Sequence, residues 1–423
     1  MKNLLPLLLS VTFLALAMSG CGPSLFPTAT PILPTATPMP PTATPLPATD
    51  TVCADGCDFT TIQAAMDDPG TTDDAIVEIT DPIHTEAGIV VSKDVTIRGL
   101  GAETTIVQAH ETPDEAPDRV FLIEEGANVT LESMTIRHGK PSAQDEHGGG
   151  IYNYGTLTLE SCVVTNNMAN GGGGICNSGV LALINSSVSD NTAHGTVPRG
   201  IECGNGGGIK CGNGMLTLVN STISGNQAGS KGRARGGGVF IGCQCTALFT
   251  NSTISGNRAT GKSGRTYRHG QGLGGGVYIN GTLQLVNCTI SDNQATHEGG
   301  GVYVRSRLDY VNTIIANNTG RNGNCVVSYT DSSGGKDTIG TNSNNLVGDG
   351  SCGSDHSGDP MLGPLADNGG ATWTHALLPD SPAIDAVSVV SCTLPTDQRG
   401  APRPIVQTSP ETPCDIGAFE WQP

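Results

Sequence analysis

Short alternations of apolar and polar residues recur through the middle of the chain, separated by glycine and asparagine rather than by helix-forming residues. Segments such as Leu157-Thr158-Leu159 have the two-residue period of a strand with one buried face. Behind each comes an aliphatic residue three places before an asparagine: Val164/Asn167, Val188/Asn191, Ile223/Asn226, Ile254/Asn257, Ile290/Asn293 and Ile314/Asn317. Ahead of each stands Gly-Gly-Gly and an aliphatic residue: Gly148 to Ile151, Gly172 to Ile175, Gly206 to Ile209, Gly236 to Val239, Gly274 to Val277 and Gly299 to Val302. The tightest unit, from Gly148 to Gly172, is 24 residues long. Strands this short, without the paired turn residues of hairpins, do not build a sandwich. The pattern predicts an all-β fold, a right-handed parallel β-helix solenoid whose coils stack ~4.8 Å apart. Ile151, Ile175, Ile209, Val239, Val277 and Val302 then form one interior column. Asn167 through Asn317 form a second at a left-handed turn, with amides bonded along the stack, and Asn185, Asn220, Asn251 and Asn287 mark another corner.

Both ends of such a coil must be closed, because an open end exposes strand edges and core. Phe59 to Met66 reads as a short amphipathic helix, an N-terminal helical cap, with Val95 to Gly101 as the first strand. After Asn317 the period decays, and Trp373 and Trp421 are expected to close the far end of the core. Further upstream, Lys2 and the apolar run from Leu4 to Met18 are too short to span a membrane and read as an export signal. Residues 22–50 repeat Pro-Thr-Ala-Thr-Pro three times, a disordered Pro/Thr linker of extended polyproline type reaching up to ~90 Å. The expected boundaries are 1–20 signal peptide, 21–50 linker, 51–318 capped β-helix, and 319–423 terminal coils with an irregular C-terminal cap.

These motifs carry four resemblances. Ser19-Gly20-Cys21 is similar to the lipobox of bacterial lipoproteins, which implies cleavage before Cys21, lipidation of its thiol, and a place on the outer side of a bacterial membrane. The Gly-Gly-[Ile/Val] and aliphatic-x-x-Asn motifs, over roughly Gly148 to Asn317, resemble the polymorphic outer-membrane-protein repeat, with Val or Ile where that repeat has Phe. The helix and strand ahead of them resemble the first coil of pectin-lyase-like β-helices. Ser381-Pro382-Ala383-Ile384-Asp385, Asp397-Gln398-Arg399-Gly400 and Cys414 to Glu420 resemble the choice-of-anchor segment of surface β-helix proteins.

Composition narrows the function. With 59 Gly, 14% charged and 4% aromatic residues, a helix bundle is excluded, and Gly has no three-residue period, which excludes collagen. A net charge of -18 excludes nucleic acid as a partner. The charge is uneven, however: Arg199, Lys210, Lys231, Arg233, Arg235, Arg258, Lys262, Arg265 and Arg268 fall between 195 and 273, against Glu202 as the single acid. Insertions beyond the minimal repeat all enter just before a glycine run, so these bases gather on one edge of the coil. Beside that edge the residue after the interior aliphatic, Tyr152, Cys176, Lys210, Phe240, Tyr278 and Tyr303, is expected to point outward. Aromatic faces stack on sugar rings and basic forks hold carboxylates, so the pattern points to an acidic polysaccharide, with a surface protein as the other partner class.

The ligand-binding set is therefore Tyr152, Lys210, Lys231, Arg233, Arg235, Phe240, Lys262, Arg265, Arg268, Tyr278 and Tyr303. His147, His194, His269 and His297 share the edge without a repeating metal-ligand spacing, so no metal site is assigned. No pair of carboxylates recurs on the repeat face, so no catalytic residue is assigned either. The expected role is a non-catalytic adhesive surface without a cofactor. The alternatives are a polysaccharide lyase or hydrolase of the same fold, a lyase being the case that would use calcium, and a structural coat protein. Fourteen cysteines in an exported chain imply disulfides, locally Cys53/Cys57, Cys203/Cys211, Cys325/Cys352 and Cys392/Cys414.

Overall fold

The structure, a computed structural model, describes residues 49–142, 147–195, 204–230, 233–261, 271–328, 338–403 and 413–422. Cys21, Lys231, Lys262, Arg265 and Arg268 lie outside the described residues, as do the expected signal peptide and most of the expected linker. The unit from Pro47 onward is a parallel β-helix. Each coil contributes one strand to a ten-stranded sheet, further strands to a nine-stranded sheet, and usually two to an eighteen-stranded sheet. The first strands are Thr49–Val52 and Ala75–Ile79, so Val95–Arg98 is not the first, as the sequence had suggested. The helix Ile62–Asp67 forms where expected, begun by the Thr61 hydroxyl accepting from Ala64 N–H, and it buries Ile62, Ala65 and Met66.

The interior column is continuous and fully buried: Phe121, Ile151, Ile175, Ile209, Val239, Val277 and Val302 pair in register, and Cys325 follows. The glycine runs that precede it have a steric cause. The first glycine of each run has φ near +60°, as Gly236 does at 63°. The second has no room for a Cβ at all, since one built on Gly237 would overlap the carbonyl oxygen of Gly275 in the next coil.

The asparagine column runs Asn167, Asn191, Asn226, Asn257, Asn293, Asn318 and Asn324, each Nδ2 donating to the next Oδ1 at 2.9–3.1 Å. Two expectations are corrected here. The last regular member is Asn318 with Ile315, not Asn317 with Ile314. The left-handed residue is also the one before the column, as at Asn166, Asp190, Asp292 and Asn317. Asn226 Nδ2 also donates to Val188 O, while its Oδ1 accepts from Asn191 N. Asn226→Leu is thus expected to strand two buried backbone groups and cost ~2–5 kcal/mol, read as a lowered urea midpoint.

Cysteine use follows the same columns. Disulfides join Cys53–Cys57, Cys325–Cys352 and Cys392–Cys414, but Cys211 pairs with Cys245 on the neighbouring coil rather than with Cys203. Cys162 and Cys288 stand in the column of Ser186, Ser221, Ser252 and Thr313, and their thiols, like those hydroxyls, donate to strand carbonyls. Burial pushes both thiols up to about 12, so they remain neutral donors.

The chain beyond Asp359 packs along the outer face of the ten-stranded sheet. Ile416, Phe419, Leu377, Ala383 and Val387 form an apolar cluster with Ile314, Ala316 and Leu346 of that sheet. Gly417, at φ 105°, approaches so closely that a Cβ would lie 2.8 Å from Ile314 Cδ1. The Thr253 hydroxyl donates to Gln398 Oε1 (2.6 Å), Ala418 N–H donates to the Thr289 hydroxyl (3.0 Å), and Ser255 Oγ lies 2.8 Å from His375 Nε2. Burial lowers the His375 pKa, so the ring stays neutral. Trp421 packs against the apolar cluster, whereas Trp373 is 55% exposed and does not close the core.

A buried ion cluster holds this segment together. Arg403 lies 3.3 Å from Glu420 and donates to the carbonyls of Asp415 and Gly417. Asp397 pairs with Arg399, whose guanidinium lies 3.6 Å over the Phe419 ring. Burial raises the Asp415 carboxyl and pushes Glu420 up to about 7, with Arg403 opposing both shifts. The motif residues Asp397, Arg399, Asp415 and Glu420 are thus the internal staples of the segment.

Candidate functional site

Two rows meet across the glycine turns. Strand alternation turns Leu122, Tyr152, Cys176, Lys210, Phe240, Tyr278, Tyr303 and Val326 away from the core, in register from coil to coil. Before the glycines runs a second row: His147, Gly171, Asn205, Arg235, Leu273 and Glu298.

Over the middle coils these rows close on each other. Phe240, Tyr278 and Tyr303 stack nearly parallel, with centroids 5.5 and 5.3 Å apart, but they are only 8%, 2% and 8% exposed. The expected open aromatic stripe is therefore corrected: these rings form a second apolar cluster with Leu273, and the Arg235 guanidinium lies 5.4 Å from the Tyr278 ring centre. The physical reason lies in the insertions. Their return strands, Arg233–Arg235 and Gln271–Leu273, stack on one another and put Arg235 and Leu273 against the row. Pointing out of the core is not the same as reaching solvent. Burial accordingly raises the Tyr303 phenol pKa. Arg233 is exposed, and Arg235 is half-buried.

The rows part at Tyr152. This ring is half-buried and stacks on Tyr154, centroids 4.3 Å apart, and Tyr154 is 43% exposed. Arg119 reaches over Tyr152, its guanidinium carbon 5.5 Å from the ring centre, while donating to the His147 carbonyl at 3.2 Å. His147 meets the Tyr152 ring edge-on at 6.4 Å. Lys210 Nζ lies 3.2 Å from His147 Nε2. Lys210 spans two coils to reach it because position 171 is glycine, where a Cβ would lie 3.2 Å from Lys210 Cδ.

Lys210 Nζ and the His147 ring thus form one hydrogen-bonded pair at this edge. Burial raises the Tyr152 phenol, which stays protonated. Of the predicted ligand set, the structure brings Tyr152 and Lys210 together around His147, puts Phe240, Tyr278 and Tyr303 under cover, and sets Arg233 and Arg235 on the adjoining strand. Arg119 and Tyr154 were missed. Tyr154 had a signal, since Tyr-x-Tyr follows the glycine run in this coil and in none of the other five. Arg119 had none, being bonded to residues 28 and 29 positions on. Among the described residues no group of three or more His, Cys, Asp or Glu side chains is placed to hold a metal ion.

Residues 287–305 match the family model of the Chlamydia polymorphic membrane protein repeat. No curated protein sequence matches the chain. Among solved structures the chain is similar to pectate lyase Pel9A, at 13% identity over 89% of this chain and 98% of that one, with a TM-score of 0.48. It is also similar to the A-module of the mannuronan C-5 epimerase AlgE4 of Azotobacter vinelandii, at 15% identity over 68% and 83%, TM-score 0.41. A third is the pectin methylesterase of Aspergillus niger, at 14% over 77% and 94%, TM-score 0.38. The architecture described above rests on the strand register within this chain.

Proposed function

We propose that this β-helix repeat protein is a cell-surface lipoprotein, anchored through Cys21 and held off the membrane by its Pro/Thr spacer, that binds acidic polysaccharide without catalysis. The observation that carries the reading is the meeting of Lys210 and His147, 3.2 Å apart, beside the partly exposed Tyr152–Tyr154 stack. A ring face for the sugar and a cation for its carboxylate thus both stand against His147. Arg233, exposed on the adjoining strand, supplies further positive charge, and Lys231, Lys262, Arg265 and Arg268, which lie outside the described residues, are proposed to add to it. Steering by that charge is strongest at low salt. No cofactor takes part, so chelation of calcium leaves binding unchanged.

Calorimetric titration with oligogalacturonate and oligomannuronate tests the site. Tyr154→Ala and Lys210→Glu are each expected to weaken binding about tenfold or more, ~1.4 kcal/mol per decade, without shifting the thermal midpoint. Equal affinity in wild type and both variants would dismiss this site, and shortened product chains would replace the binding role with an enzymatic one. The anchor is tested separately, by loss of the protein from the membrane fraction in Cys21→Ser.

A further inference from the structure

The outer face of the ten-stranded sheet is divided in two. From Thr222 to Leu346 it lies under the C-terminal segment, through contacts at Thr222, Thr253, Thr289, Ile314 and Leu346. In the coils before Thr222 the same outward columns continue as Thr135, Val163 and Ser187, and as Thr165 and Ser189, all half-exposed. Trp373 stands where the cover begins. Its carbonyl accepts from the Thr222 hydroxyl at 2.6 Å, and the neighbouring Thr372 hydroxyl donates to Asn220 O at 2.8 Å. The backbone on both sides is thus fixed while the indole remains 55% exposed.

We propose that this uncovered strip, with Trp373 at its edge, is a second binding site, for a neutral, extended polysaccharide chain. Three observations carry the assignment. The first is the ring: a large indole left in solvent on a pinned backbone presents a flat apolar face at little entropic cost. The second is the floor, whose columns bear the hydroxyls of Thr135, Thr165, Ser187 and Ser189, one valine and a single cation, Arg137, in register with Thr165. That guanidinium is already held by Gln108 Oε1 at 3.0 and 2.8 Å, and the exposed Asp190 at the adjoining corner disfavours a polyanion. The third is continuity: one and two coils further on, the column of Thr135, Val163 and Ser187 already holds other parts of this chain by single hydroxyl hydrogen bonds, from Thr222 to Trp373 O and from Thr253 to Gln398 Oε1. Stacked coils repeat those hydroxyls every ~4.8 Å, so a polymer along the coil axis meets an equivalent floor at each step.

The test uses the full chain, titrated with cellohexaose and laminarihexaose and followed by tryptophan emission and calorimetry. At least one neutral hexasaccharide is expected to shift the emission. Trp373→Ala and Ser187→Arg should each weaken its binding about tenfold or more, leaving the thermal midpoint and the binding of hexagalacturonate unchanged. Binding of neutral sugar that survives both substitutions, or no neutral binding at all, overturns the proposal. So does capture by the strip of an extended Ser/Thr peptide, but of neither sugar. Because the acidic sugar is followed alongside, failure here leaves the Lys210 site independently tested.

Discussion

Gly237→Ala is expected to abolish stacking between the coils on either side of it. The added methyl would overlap the Gly275 carbonyl oxygen, and both partners are backbone groups locked in the ladder. Neither can yield without breaking bonds to the coils beyond, so the loss should exceed ~4 kcal/mol, in the range reserved for core disruption. Gly256→Ala is the control. Gly256 is also left-handed, at φ 66°, but a Cβ there meets only Gly225 N at 3.8 Å. It should cost only ~1–2 kcal/mol for the left-handed backbone, and Gly256→Asn should be milder still, since Asn166 and Asn317 hold the equivalent place. Urea unfolding of the three variants separates the two causes: equal losses at 237 and 256 would refute the close-approach account.

Arg403→Met should release the C-terminal segment from the coil above neutral pH. Arg403 is 2% exposed and is the charge that offsets buried Glu420 and Asp415. Removing one member of such a cluster costs ~3–5 kcal/mol, because the remaining carboxylates stay desolvated. The pH dependence has a definite sign. In the folded chain burial raises Glu420 from 4.5 to about 7, so the docked state holds its proton more tightly than the released one. That contribution is fully present below pH 4.5 and is lost as pH rises to about 7. The Thr374–Leu377 amides of the wild-type segment should therefore show smaller protection factors, each taken against the unfolded-chain exchange rate at the same pH, at pH 8 than at pH 5.5. In Arg403→Met the same contrast should be larger, with near-normal protection at pH 5.5. Protection factors independent of pH in both proteins would remove Glu420 from the account.

Much of this fold could be read from residue spacing. The glycine runs and the buried asparagines are sequence marks of backbone demands that recur once per coil, so the interior column was placed correctly residue by residue. The slip at the last coil has a simple origin. Ile314-Ile315 and Asn317-Asn318 are doublets, and only the amide of Asn318, 2.9 Å from Asn293, decides which member is in register. Coils ahead of Gly148 lack the glycine run, which is why Thr49–Val52 escaped notice.

The site was legible in part. Alternation gave the direction of Phe240, Tyr278 and Tyr303 but could not show that Leu273 and Arg235 would lie against them. The C-terminal segment was visible as motifs, yet its place depends on hydrogen bonds from Thr222 and Thr253 to residues more than 140 positions away, at Trp373 and Gln398. No local pattern encodes a pairing of that range.

Among the described residues the repeat takes extra length at two corners, not at the single one expected from the sequence: before the glycine runs and also, by one and two residues, in the turns after Cys211 and Ile241. Positions within the strands belong to columns in which one inserted residue would turn a whole strand inside out. Extra length in this protein is therefore confined to corners: the segments beside the proposed binding edge can be lengthened, recharged or exchanged while the columns behind them stay fixed. The coil works as a loom whose warp is invariant, and recognition can diversify from one descendant to the next without the fold having to be found again.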